Sequence, residues 1–266
     1  MIERNPITGD PIVIAPDRAQ RPNIYRNGDE ACPFCPGNES MTPPEIMRIG
    51  DPWRVRVFPN KFPATDHHEV VVESPQHTDT FDRIAHAQEA VQVYADRYHA
   101  LAREAAHVTI FKNHGVMAGA SIPHAHSEIV ATAFVPPRIE RESAAFRAAC
   151  SLCRVADEPL IRETANYRWI APRGSMFAYE QWIVPKTHAP EMDGPLELPE
   201  LLQGSTRRML ALADSFNWIF MNFSRAPHAH WYVQLFPRLA VHAGFELGSG
   251  SAINVIDPED AARFYR

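Results

Sequence analysis

The chain spells Pro-His-Ala-His twice, at residues 123–126 and 227–230, each time just ahead of an apolar, strand-like run. A four-letter match alone is weak. Its weight comes from the order of what surrounds it. Each copy is preceded by a Cys-x-x-Cys pair (Cys32 and Cys35; Cys150 and Cys153) and then by a histidine at a strand end, His77 in ESPQH and His188 in VPKTH. Cys32 and Cys150 are 118 apart, His77 and His188 111, IFKN at 110 and IFMN at 219 are 109 apart, and His124 and His228 104. Offsets that shrink steadily while the order is kept are what loop deletions in a duplicated unit produce. The expected organisation is two tandem halves, 1–137 and 138–266, of which the first carries the active-site motif and the second is a degenerate copy.

Secondary-structure signals recur with the same order. Strand-like runs lie at 11–14, 53–60, 68–75, 107–114, 127–134, 167–172, 180–188, 217–223 and 230–236, with amphipathic helices expected over 79–105, 138–150 and 196–214. The fold class is α+β, with a mostly antiparallel sheet and flanking helices.

Composition narrows the function. With 266 residues, 45% hydrophobic and 22% charged, the chain has ordinary globular composition. A net charge of −6 argues against a general polyanion binder, so a phosphate ligand needs a local cluster such as Arg18, Arg21 and Lys61. No apolar run reaches the roughly 20 residues of a membrane span, and the N-terminus lacks a signal-peptide pattern. A cytoplasmic protein is expected, without nucleic-acid or membrane partners. In a reducing compartment, paired Cys-x-x-Cys points to metal or redox chemistry, and the Pro and Gly after CPFC suit a metal knuckle.

Two thiolates and two imidazoles complete a closed tetrahedral zinc site with a structural role. The expected sites are Cys32, Cys35, His77 and His124, and Cys150, Cys153, His188 and His228, giving one or two Zn2+ per chain. The alternative is free thiols and surface histidines. His126, two residues beyond His124 in extended chain, points the same way yet stays unligated. A neutral imidazole held there is a nucleophile toward phosphorus, its far nitrogen donating to a backbone carbonyl. The preceding loop, with Gly115, Gly119 and Ser121, lets N–H groups and a hydroxyl approach phosphate oxygens. The bland alternative for His126 is a buried, hydrogen-bonded histidine.

The pieces RNPITGDPIVIAPDRAQRP, CPFCPGNESMTPPE, VRVFPNKFPA, IFKNHGVMAGASIPHAH, HAHWYVQLFPRL and AGFELGSGSAINVIDPEDAA together resemble the galactose-1-phosphate uridylyltransferase family of the histidine-triad superfamily, in the branch that includes ADP-glucose phosphorylase-like proteins. The resemblance implies two tandem histidine-triad-like halves. It implies a nucleotidyltransferase acting on nucleotide sugars and sugar 1-phosphates through a covalent nucleotidyl-His126. It places Arg18, Arg21, Asn60 and Phe62 on the nucleotide side, and Asn113 and Ser121 against phosphates. Phe245 and Glu246 fall in a segment that helps receive the sugar phosphate, and the family is typically homodimeric.

The chain departs from the family at Glu128, where His-Pro-His-x-Gln becomes His124-Ala125-His126-Ser127-Glu128. A glutamine amide donates a hydrogen bond; an ionised carboxylate has no donor. Protonation, a bridging cation, altered chemistry and a solvent-facing side chain all remain open. The function classes are accordingly a nucleotidyltransferase, a nucleotide-sugar phosphorylase or hydrolase, and a zinc-stabilised nucleotide-binding protein without catalysis. In the second half His230 matches His126 by sequence, without a glycine loop before it; it reads as non-catalytic, with metal binding as another use.

Overall fold

The computed structural model describes residues 1–27, 31–194 and 196–266. A small hairpin, β1 (Ile2–Arg4) and β2 (Pro11–Val13), precedes the short helix α1 (Ile24–Asn27). The apolar runs then build one antiparallel sheet from β3 (Met47–Ile49), β4 (Val55–Pro59), β5 (His67–Val72), β6 (His107–His114), β7 (His126–Thr132), β8 (Leu160–Glu163), β9 (Tyr167–Ile170), β10 (Gln181–Pro185), β11 (Phe216–Met221) and β12 (Tyr232–Pro237). The helices are α2 (Ala87–Ala102), α3 (Pro137–Phe146), α4 (Leu198–Leu210), α5 (Gly244–Ser249) and α6 (Pro258–Tyr265). Among the described residues, no helix is long and apolar enough to cross a membrane.

The strand order is β3-β4-β5-β7-β6-β11-β12-β10-β9-β8. Read from either end, it is the same series: β6 matches β11, β7 matches β12, and β5 matches β10. The centre is the β6–β11 pair, where Phe111 lies opposite Ile219. The expected 137/138 boundary falls at the first residue of α3.

Strand pairing fixes which residues correspond. Glu128 lies opposite Val70, and Gln234 opposite Trp182. Ile110 faces the core with Val108, whereas Ile219 packs on the other face. Matching IFKN to IFMN is therefore out by one residue; Trp218, which is in the same core as Ile110, takes its place. A slip of one residue in a strand moves every side chain to the opposite face, so only the sheet can decide this.

Helices α2, α4 and α6 cover one face. Val91, Tyr94 and Tyr98 of α2 recur at helical spacing and are fully buried against Leu201, Leu202 and Met209 of α4. Each such aliphatic side chain contributes about 1.5–3 kcal/mol on burial. The expected helix over 79–105 is shortened at its start: Phe81 and Ile84 reach the core from a single 3₁₀ turn before α2 begins. The other face carries two smaller clusters. One gathers Phe34, Phe58, Val70 and Val72 beneath the first cysteine pair. The other is filled by Phe146 of α3, Phe223 and Tyr232. Tyr232 stands in the second half where His126 stands in the first.

Candidate active site and metal clusters

The first Cys-x-x-Cys pair closes a tight turn, with the Cys35 N–H donating to Cys32 O. Sγ of Cys35 lies 3.3 Å from His77 Nδ1, and both sulfurs lie 3.6 Å from His124 Nδ1. His124 Nε2 donates to Ser74 O at 2.7 Å, so Nδ1 keeps its lone pair for the cluster. Zinc bonds of roughly 2.3 Å to sulfur and 2.0 Å to nitrogen give tetrahedron edges near 3.5 Å, and the donor set fits that ion. Burial pushes the Cys32 thiol up to about 11; a coordinated cation would hold it as thiolate instead.

The second cluster is Cys150, Cys153, His188 and His230. His230 Nδ1 lies 3.4 and 3.6 Å from the two sulfurs, and His188 Nδ1 lies 3.2 Å from Cys153. This corrects the expected fourth member. His228 is turned away, its Nε2 donating to Ser143 O at 2.9 Å. The reason is register. His230 holds the place of His124 in the mirrored sheet and repeats its second bond, donating from Nε2 to Pro185 O. The identical tetrapeptides are thus used two residues out of step.

His126 opens β7 and lines a cavity of about 430 Å³ with Arg18, Arg21, Asn60, Phe62, Ser121 and Glu128. Its Nδ1 donates to His124 O at 2.7 Å, which leaves Nε2 with the lone pair. Burial, outweighing the pull of Glu128, lowers its pKa and keeps the ring neutral. Phe34 packs its edge against the ring, centroids 5.2 Å apart. Behind the strand, the Lys112 ammonium donates to His126 O at 2.8 Å and to Glu73 Oε2 at 2.5 Å. Glu73 Oε1 also accepts from Ser127 Oγ at 2.5 Å and from the Tyr94 hydroxyl. The backbone of His126 is therefore tied to a buried ion pair with several hydrogen bonds.

Glu128 is not turned to solvent. Its Oε2 accepts from His68 Nε2 at 2.6 Å and from Asn60 Nδ2 at 3.3 Å. His68 Nδ1 accepts the Ala64 N–H at 3.0 Å, which places the ring proton on Nε2. Burial pushes the Glu128 carboxyl up, but the His68 bond and the nearby Arg18 outweigh it, and the net direction is below the ordinary 4.5. Glu128 is ionised.

A family model described as the N-terminal domain of a domain of unknown function, DUF4931, matches residues 16–135. An ADP-glucose phosphorylase from Arabidopsis thaliana is 28% identical over 322 residues, covering 100% of this chain and 92% of the relative. A galactose-1-phosphate uridylyltransferase from Thermotoga maritima is 25% identical over 316 residues, covering 98% and 96%. The crystal structure of an ADP-glucose phosphorylase from Arabidopsis thaliana with bound ADP-glucose has a TM-score of 0.83 at 28% identity, covering 100% of this chain and 98% of that one. Along nearly its whole length the chain is thus similar to ADP-glucose phosphorylase and to galactose-1-phosphate uridylyltransferase.

Against the expectations for a uridylyltransferase-like chain, the cavity gathers Arg18, Arg21, Asn60, Phe62, Ser121, His126 and Glu128. It does not gather four others. Asn113 accepts from Asn217 Nδ2 at 2.7 Å and braces the loop through that residue, which also bonds Ala118 O. Gly119 ends the 3₁₀ turn over 116–118 at φ 87°. Gly115 bears the loop's steric constraint: a Cβ there would meet Ser215 Oγ at 2.2 Å. Phe245 and Glu246 lie on the exposed helix α5, outside the cavity. Sequence reasoning missed Phe34, His68 and Lys112. Phe34 sits inside the CPFC motif, which was its only signal. His68 and Lys112 meet their partners only through strand pairing.

Proposed function

We infer that the protein is an enzyme, a nucleotidyltransferase acting on nucleotide sugars and sugar 1-phosphates. The observation that carries this reading is His126: neutral, its Nδ1–H committed to His124 O, its Nε2 left in a cavity with two arginines. Nε2 attacks the α-phosphorus, the sugar 1-phosphate leaves, and a nucleotidyl group stays on the ring with Nδ1 still protonated. Arg18 and Arg21 offset the phosphate charges, and the Ser121 hydroxyl donates to a phosphoryl oxygen. A phosphate leaving group needs no strong acid, so the step rests on positioning and charge. Asn60 and Phe62 border the nucleotide.

Zinc held by Cys32, Cys35, His77 and His124, and by Cys150, Cys153, His188 and His230, supplies structural cross-links. The mirrored strand order supports a duplication, with Tyr232 in place of His126 marking the second half as non-catalytic. Phe245 and Glu246 lie outside this chain's cavity and would serve only a partner copy's, as in a homodimer, and four cysteines with no disulfide among them suit the cytoplasm.

The 28% identity with an ADP-glucose phosphorylase along the whole chain favours a second reading for the acceptor step, with inorganic phosphate taking the nucleotide. Intact-mass spectrometry against a panel of UDP- and ADP-sugars tests the first step. A nucleotide-sized mass gain is expected with one of them; no gain with any would contradict the reading.

A further inference from the structure

Glu128 is the one acid among the described residues that line the cavity. It is also fixed. Oε2 is taken by His68 and Asn60, while Oε1 has no hydrogen-bond partner among the described residues. His68 cannot supply a second proton, because its Nδ1 already accepts the Ala64 N–H. The cavity therefore holds a carboxylate with one free oxygen on the same strand face as His126, two residues along β7.

That arrangement bears on what can discharge a nucleotidyl-His126. A phosphate acceptor brings negative charge, which Arg18 and Arg21 offset as they do for the departing sugar 1-phosphate, and it needs no base. A neutral hydroxyl compound brings none, but it must lose a proton as it attacks. The imidazole is poorly placed to take that proton: Nδ1 is committed to His124 O, and Nε2 is bonded to phosphorus until the bond breaks. Among the described residues that line the cavity, Glu128 Oε1 is the carboxylate oxygen left free to take it.

Resting on the covalent reading above, we propose that Glu128 gives this site a hydroxyl acceptor, water or an alcohol, and serves as its general base. The acceptor oxygen forms a bond to the α-phosphorus, the bond from phosphorus to His126 Nε2 breaks with its electron pair returning to Nε2, and the acceptor proton passes to Glu128. The products are a nucleoside monophosphate or its alkyl ester, neutral His126, and a protonated Glu128 that releases its proton to solvent. His68 is a positioning residue that aims the carboxylate.

The test uses the full chain, first loaded with a nucleotide sugar and freed of excess donor. Decay of the mass adduct is followed in buffer alone, with glycerol, and with inorganic phosphate. Wild type is expected to discharge to water and to form the glyceryl ester, alongside discharge to phosphate. Glu128→Gln should slow hydroxyl discharge by roughly 100-fold while accelerating discharge to phosphate. Glu128→Asp, which keeps the charge but retracts it, should fall between them and serves if the amide variant does not fold. An adduct that is stable in water and glycerol and discharged by phosphate alone overturns the proposal, as does an unchanged hydroxyl rate in both variants. No adduct in wild type overturns the covalent reading itself, and the proposal with it.

Discussion

Glu128 and Gln234 stand at the same place in the two mirrored halves of the sheet. Each makes a 2.6 Å hydrogen bond to the residue two positions before its cross-strand neighbour, His68 for Glu128 and Glu180 for Gln234. The direction is reversed. In the first half the β7 side chain accepts; in the second the β12 side chain donates. The second bond lies under Trp182, which also donates to Glu180, in a face filled by Tyr232 and α3. The first lies in the open cavity. One geometry thus serves packing in one half and presents a charge to ligands in the other.

The Glu128 pairing has a pH signature. Its folded pKa is lowered below 4.5, so its contribution to stability is complete above the unfolded value and is lost as pH falls through the folded one. Thermal melts of wild type and Glu128→Gln should differ by a constant amount above about pH 5, with wild type losing ground below it. A difference that does not change with pH would contradict an ionised, paired Glu128.

Metal analysis should find up to two zinc ions per chain. His230→Ala should lose one of them and His228→Ala neither, since only His230 faces the sulfurs. Cys32→Ser or His77→Ala should unfold the first half, because structural zinc binding is worth on the order of 10 kcal/mol or more. Soluble, folded, zinc-free protein would contradict this.

How much of this was legible beforehand follows from distance along the chain. Cys32, Cys35, His77 and His124 stand out because each is a ligand type in a short motif. His228 and His230 share one tetrapeptide, and only the β10–β12 pairing selects between them. The His68–Glu128 bond spans 60 residues and depends on the β5–β7 register, which no local pattern contains. Strands β3 and β8 have three and four residues, too few to show a period of two, and they passed unread.

The Lys112–Glu73 pair should behave as a buried charge pair. Lys112→Met alone leaves Glu73 charged and buried, and should cost about 3–5 kcal/mol in denaturant unfolding. Adding Glu73→Gln should recover part of that stability. The double variant should still form the nucleotidyl adduct more slowly than wild type, since the tether on His126 O is gone. Single and double variants of equal stability would contradict the assignment.

The central claim is that His126 accepts the nucleotide through Nε2. Protein loaded with the nucleotide sugar that gives a mass gain should, after digestion, carry the nucleotidyl group on the peptide containing His126. His126→Ala should retain its zinc and its fold and carry no such group. A modification that maps to another residue, or that persists in the folded, zinc-loaded His126→Ala protein, would contradict the account.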